Sequence, residues 1–396
     1  MKLQGVRVLD LSMFLPGPQL TMTMADHGAQ VIRIEPPGEG EPTRHLGFRK
    51  NGQSVWFRNT HRGKRSVTLD LKTEPARELL LRLAERSQVL VEAFRPGVMK
   101  RLQLDYEQVA RRAPHIVYCS ISAFGQVGPL SHRVAHDLAV EAQSGIASLT
   151  LGQDGKPALP AIPMADMAAS LMALSGILMA LYRARETGRG DYIDLSMQDA
   201  LMAWTPNLTG RVFAEDRAPE VKNERTWGGN AMYNVYETAD GQWLVLGGSE
   251  IKFAANLLIA LGRPELIELC KLPAGEGQAP VRAYFRKTFR TRTLEQWLAW
   301  LEGRDICYAP VLDLHQAFHQ PHVAARAMLL RDDEGNDHIG VPLKFRHEPA
   351  IPRFAVPGLG EHNREVCALA GYDATGFAAL AAAGAFGPTV AGADAS

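Results

Sequence analysis

Four cysteines, Cys119, Cys270, Cys307 and Cys367, are spread over 396 residues, and no two form a C-x-x-C pair. That excludes a disulfide framework and any zinc or redox motif readable from spacing, and leaves a reducing cytosol as the expected compartment. Charge of one sign is also missing, since 43 Lys and Arg balance 43 Asp and Glu. Neither the basic field of a duplex-binding protein nor a basic-aromatic interleaving suited to single strands is present, so no nucleic-acid partner is expected. No apolar stretch with a small-residue cleavage site opens the chain, which argues against a secretory leader. The longest apolar run, Met167 to Tyr182, is serine-interrupted and shorter than the about 20 residues of a membrane span, so it reads as a buried core helix and no membrane partner is expected. Both G-x-G-x-x-G and G-x-x-x-x-G-K-[ST] are absent, which removes the main support for nicotinamide, flavin and P-loop chemistry. No H-E-x-x-H motif or carboxylate cluster implies a metal.

What is present is an ordinary globular composition, 46% hydrophobic and 22% charged, in a chain long enough for two to three domains of about 150 residues. Short β-rich runs alternate with helical patterns. Val6 to Leu11, Ala29 to Glu35, Ser66 to Leu71, Val89 to Glu92, His115 to Ile121 and Tyr192 to Met197 read as strands. Helices are expected at Pro18 to His27, Glu74 to Ser87, Tyr106 to Ala113, Ala165 to Glu186 and Gln198 to Thr209. Strand-helix alternation of this kind predicts an α/β fold with a parallel sheet covered on both faces. The charged stretch Glu215 to Arg225 suits a linker, and beyond it two alternating runs around Ala239-Asp-Gly predict a hairpin. The expected organisation is a large domain over 1–215, a small α+β domain over 225–325, a return segment over 326–386 that completes the large domain, and a flexible tail over 387–396.

Three constellations carry candidate chemistry. In Ala135-His-Asp an acid sits beside His136, a pairing that holds a ring in a site or caps the following helix. Asp166 stands alone at the mouth of an apolar helix, where it either serves as a helix cap or, desolvated by its neighbours, acts as a reactive carboxylate. Glu250 follows the strand-like Leu244-Val-Leu-Gly-Gly-Ser, where a glutamate either answers the helix dipole or faces a site. Trp204, Trp227 and Tyr233 lie in segments suited to closing over a substrate or, equally, to packing.

Read with their neighbours, these residues resemble the CaiB/BaiF family, the family III CoA-transferases, which also contains the α-methylacyl-CoA racemases. The resemblance spans nearly the whole chain. It is carried by Gly5-Val-Arg-Val-Leu-Asp-Leu-Ser with Pro16-Gly-Pro, by Gly28-Ala-Gln-Val-Ile-Arg-Ile-Glu-Pro-Pro-Gly-Glu-Gly-Glu-Pro-Thr-Arg, and by Arg62-Gly-Lys-Arg-Ser-Val-Thr-Leu-Asp-Leu-Lys. Val91-Glu-Ala-Phe-Arg-Pro-Gly-Val-Met, Thr187-Gly-Arg-Gly-Asp-Tyr-Ile-Asp-Leu-Ser-Met-Gln-Asp-Ala and Gly358-Leu-Gly-Glu-His complete it.

The resemblance implies a Rossmann-like large domain built from both ends of the chain, a smaller inserted domain, and an interlocked homodimer. It implies coenzyme A or acyl-CoA as a substrate, with no prosthetic group and no metal, and a carboxylic acid as second substrate. Contacts to CoA would come from Pro16, Gly17, Leu71, Lys72, Phe94, Arg95, Gly97 and Arg101, a set whose cations and glycine turns suit phosphates. Asp166 matches the catalytic aspartate. In the transferases it attacks the thioester to give a mixed anhydride and free CoA thiolate, after which an acceptor acid is charged with CoA. In the racemases it exchanges the α-proton opposite a histidine, whose place His136 takes, with Glu250 matching that histidine's partner. Here the family's Asn before Phe94 is Ala93. The racemase pattern G-H-D-[IL]-N-Y loses its Asn and Tyr at Ala139 and Val140, and the Asn expected four residues before the aspartate is Ile162. The balance favours a CoA-transferase, with racemase as the alternative and a non-catalytic acyl-CoA-binding subunit as a lesser one.

Overall fold

The structure is a computed structural model that describes residues 1–152 and 154–387. The expected tail over 387–396 lies outside the described residues apart from Gly387. Two compact units emerge: Met1–Trp204 together with the C-terminal segment from His322, and Thr205–Pro321.

The first unit is organised by six strands, β1 (Arg7–Leu11), β2 (Gln30–Glu35), β3 (Arg65–Thr68), β4 (Val89–Glu92), β5 (Val117–Ser122) and β6 (Tyr192–Ser196). All pair in parallel, in the order β3-β2-β1-β4-β5-β6. The chain winds outward from β1 through β2 to β3, then returns to place β4 on the other flank of β1. The order reverses between β1 and β4, and a doubly wound sheet opens its crevice at the carboxyl ends of those strands. The inner strands β1, β4 and β5 are buried on both faces, as continuous Val/Leu/Ile runs require, while the edge strand β6 is only partly covered. Alternate residues feed two cores: Leu9, Ile32, Leu90 and Tyr118 on one face, Val8, Val31, Val91 and Val117 on the other. The first core also takes Val366, Cys367 and Leu380 from the helices Asn363–Leu369 and Ala374–Ala382, so the end of the chain packs on the sheet laid down by its beginning.

Helix α1 (Pro16–Asp26) opens on proline, whose fixed φ and missing N–H suit a first turn. Helices α2 (Glu74–Ala84), α3 (Val98–Arg101), α4 (Tyr106–Arg112) and α5 (Asp137–Gln143) follow, then the long α6 (Met164–Thr187), which ends at Gly188 in the left-handed region. Of all helices among the described residues, α6 alone has the length and apolar character to cross a membrane. The expectation of a buried core helix needs correcting. One small-residue face, Ala165, Ala168, Ala169, Ala173 and Ile177, is buried in the second core, while Leu171, Met172, Leu178, Met179 and Tyr182 are exposed. The helix expected to run to Thr209 stops earlier, at Met202 (Met197–Met202), because Pro206 disfavours helix at the residue before it; a separate short helix covers Gly210–Glu215.

In the second unit the expected hairpin is β7 (Tyr233–Glu237) and β8 (Trp243–Gly247), joined antiparallel by β9 (Tyr308–Pro310). Helices Ile251–Ala260, Ala279–Phe289 and Leu294–Leu301 bury Leu257, Phe285, Phe289 and Trp297 against Tyr236, Leu244 and Leu246. The stretch expected as a linker, Glu215 to Arg225, belongs to this unit. Arg211 pairs with Glu224, Arg217 with Glu220 at 2.8 Å, and Arg225 Nη1 donates to Ser249 Oγ at 2.6 Å. Its charges read as solvated chain because sequence spacing does not reveal which of them pair across turns.

Candidate active site

A cavity of about 470 Å³ opens at the reversal of the sheet. Its wall is the turn after β1 (Met13, Phe14, Pro16), the loop after β4 (Ala93 to Pro96), the end of β5, the segment reaching His136, and Asp166 on the first turn of α6. Five sequence-predicted residues, Pro16, Phe94, Arg95, His136 and Asp166, therefore share one cavity, built wholly from the first unit.

Asp166 is the third residue of α6, so the cap reading is corrected: Pro163 is the N-cap, with no side-chain bond, and the capping oxygens come from α5. Asp137 Oδ1 accepts from the Asp166 N–H at 3.0 Å, and Glu141 Oε1 accepts from the Met164 N–H at 3.0 Å. A helix N-terminus favours a carboxylate, yet burial, followed by the charges of Asp137 and Glu141, pushes Asp166 up to about 7. A carboxyl held there titrates where chemistry at neutral pH can use it.

His136 is the N-cap residue of α5 and makes no side-chain cap bond, and Asp137, the acid read as a cap for that helix, is its first residue and serves α6 instead. Its exposed ring meets Phe14 edge to face, centroids 5.8 Å apart. Phe14 is itself strained, with φ at +64°, a left-handed conformation costly for an aromatic residue. The strain is held from below: Glu41 Oε1 accepts the Phe14 N–H at 2.9 Å, and Glu41 pairs with Arg33. Asp10 Oδ1 accepts the Ser12 N–H at 3.0 Å while Asp10 Oδ2 receives Lys64 Nζ at 3.0 Å. Asp10, Arg33, Glu41 and the Lys64 side chain are buried, forming a dry, charge-paired floor. Against the cost of burial, Lys64 and Arg33 hold Asp10 well below the usual aspartate range, while burial pulls Lys64 down to about 8.

Glu92, at the end of β4, accepts the Phe94 N–H through Oε2 at 2.8 Å and so fixes the loop carrying Phe94 and Arg95. Burial pushes it up to about 7. Gly97, at φ +84°, starts α3 and lines with Arg95 a second cavity of about 480 Å³. Gly17 is dictated by close approach, since a Cβ there would lie 2.1 Å from Ser12 Oγ. Leu71, Lys72 and Arg101 line neither cavity. Leu71 packs on the first core, Arg77 Nη1 donates to the carbonyls of Leu71 and Lys72 at 3.3 and 2.8 Å, and Arg101 is exposed. Ala93 leaves a methyl-sized edge on the cavity. Glu250 belongs to the second unit, as the exposed N-cap residue of Ile251–Ala260 without a side-chain cap bond, rather than as a first-turn partner of the helix dipole. Trp227 and Tyr233 also lie in that unit, whereas Trp204 ends the first.

The sequence motifs do not single out Glu141, Phe14 or Glu41 as site residues. A signal for Glu141 exists, because Asp137 and Glu141 at i, i+4 share one helix face. None exists for Phe14 and Glu41, since they meet only through the turn. Among the described residues no group of three His, Cys, Asp or Glu side chains is placed to hold a metal ion.

Comparison with known proteins gives a consistent picture. The pattern of CoA-transferase family III matches residues 3–363. The succinyl-CoA:glutarate CoA-transferase of Mus musculus is 33% identical over 378 residues, 92% of this chain and 85% of that protein. The α-methylacyl-CoA racemase of Homo sapiens is 34% identical over 374 residues, 92% of each chain. The crystal structure of a CaiB/BaiF family protein from Brucella suis superposes with a TM-score of 0.81 at 28% identity, covering 93% of this chain and 99% of that one.

Proposed function

The chain belongs to CoA-transferase family III, and from that premise we propose that it moves coenzyme A between an acyl-CoA thioester and a carboxylic acid, with Asp166 as nucleophile. The observation that carries the reading is the shared cavity. Asp166 lies there with Pro16, Phe94 and Arg95, positions that the family resemblance assigns to CoA. An Asp166 oxygen attacks the thioester carbonyl carbon and the carbon-sulfur bond breaks, leaving a mixed anhydride on the enzyme and CoA thiolate; the acceptor carboxylate then displaces the donor acid at the Asp166 carbonyl, and the thiolate attacks the acceptor's carbonyl carbon in the new anhydride, forming its CoA ester and freeing Asp166. The low-polarity wall of Met13, Phe14 and Ile121 favours this chemistry by keeping water from the anhydride. In this reading Gly17, Leu71, Lys72, Gly97 and Arg101 extend the CoA track, and His136 lines the acyl site. The partner is a second copy of the chain in an interlocked homodimer, a reading supported by the exposed apolar face of α6. The compartment is the cytosol.

A second reading, racemase, is favoured by one observation: His136 and Asp166 border the same cavity, as two bases flanking an α-carbon must. Incubation with a panel of acyl-CoA esters in deuterated water, with and without free carboxylic acids, followed by mass spectrometry of all CoA species, separates the two. A new CoA ester that requires the added acid and carries no α-deuterium supports the transferase. A gain of one mass unit on a 2-methylacyl-CoA with no acceptor present supports the racemase and overturns the first reading.

A further inference from the structure

Helix α6 begins without a cap of its own, and Asp137 and Glu141 on α5 supply the acceptors for its amides. Glu141 is fully buried, and while one of its oxygens serves Met164, the other, Oε2, has no donor. A buried carboxylate oxygen left in that state costs as much as a lost charged hydrogen bond. Beside it stands the Asp137 carboxyl, with which Glu141 interacts side chain to side chain. Two carboxylates cannot hydrogen-bond to each other without a proton, because both only accept. One proton between them satisfies the orphaned oxygen and removes one negative charge.

We propose, resting on the assignment of Asp166 as nucleophile, that Glu141 is a positioning residue: with Asp137 it caps α6 and holds a shared proton, so that the turn carrying Asp166 faces one negative charge rather than two. The groups around that turn are Asp137 and Glu141 from α5, His136 at the start of the same helix, and Arg133 and Arg95 on the cavity wall. Burial, then Asp137, pushes Glu141 up to about 7, so the shared proton persists through the acid side of neutrality, where Asp166 must ionise to attack. A second charge on the pair would oppose that ionisation.

The test reads the proton directly and needs no substrate. In an infrared titration of the full-length protein carrying Glu92→Gln, which removes the other buried carboxyl raised to about 7, Asp166→Asn should retain a protonated buried carboxyl at about pH 6 that titrates near neutrality, and adding Glu141→Gln should abolish it. Should the double variant not fold, Asp137→Asn in the Asp166→Asn background serves instead and should move that titration to lower pH. Glu141→Gln alone keeps an oxygen for Met164, gives Asp137 an N–H and removes the ionisable group. Because the pair with its proton in place already carries one negative charge, as Asp137 beside a glutamine does, the acid limb of kcat/KM should stay at the wild-type pH. Absence of a protonated carboxyl at about pH 6 in Asp166→Asn carrying Glu92→Gln, or an acid limb of kcat/KM that moves to lower pH by about tenfold in ionisation constant in Glu141→Gln, overturns the proposal. Retention of the band in a protein that turns over no acyl-CoA upholds the shared proton and overturns the functional reading instead.

Discussion

Asp10 and Asp166 both belong to the first unit, one beneath the turn after β1 and the other beside the same cavity, yet their surroundings are opposite. Asp10 is ringed by Lys64, Arg33, Ser12 and Thr21, every one of them favouring its charge. Asp166 faces Asp137 and Glu141, both opposing it. The floor is charge-paired and holds a strained turn, whereas the upper cluster is left with its carboxylates opposing one another where the proposed nucleophile stands. A protein can use the same residue type as a rivet or as a reagent, and the sign of its neighbours decides which.

The largest expected effect comes from removing the reagent. Asp166→Ala should lower turnover by at least about a thousandfold while calorimetry finds CoA affinity nearly unchanged; retained turnover would sink both catalytic readings. Next is the rivet. Asp10→Ala strands Lys64 and Arg33 in the interior, and losing one partner of a buried ion network costs about 3–5 kcal/mol, measurable by urea unfolding. An unfolding midpoint equal to wild type would mean that the floor is hydrated in solution.

The two acids also separate in pH. Asp10, depressed in the fold, contributes stability above the ordinary aspartate range and loses it as pH falls through its lowered folded value. Asp166, raised to about 7, binds its proton more tightly folded than unfolded, so its contribution falls as pH rises from the ordinary aspartate range to about 7. Asp166→Asn should therefore raise the melting temperature more at pH 8 than at pH 5, and an equal gain at both would show that its carboxyl is not strained. The smallest effect is expected for Phe14→Ala. An edge-to-face pair is worth about 0.5–1.5 kcal/mol, so the variant should change KM a few-fold with kcat less affected, and an unchanged KM would detach Phe14 from substrate placement.

Much of this fold is legible in the amino-acid sequence. Strand positions follow from Val/Ile/Leu runs bounded by turns, and the parallel sheet from their alternation with helices. Asp166 and His136 are legible through family motifs, and both stand on one cavity. What stays hidden depends on pairing in space. The exposed face of α6 is as apolar as its buried face, so composition does not reveal which side the sheet takes. Glu41 and Arg33 look like surface charges in sequence, and only the crossover from β1 to β2 folds them beneath Phe14. Asp166 reads as a cap because its helix lacks one, and the true caps, Asp137 and Glu141, lie on another helix.

The turn from Ser12 to Pro18 sets what the first helix of the sheet can offer an anion. A sheet wound in this order ordinarily offers the amides of its first helix to a dinucleotide pyrophosphate. Here two of the first three residues of α1 are proline and have no N–H to give, and Ser12 packs against the Gly17 α-carbon between them. The first helix is thereby short, at this crevice, of the amide donors with which such a helix serves a dinucleotide.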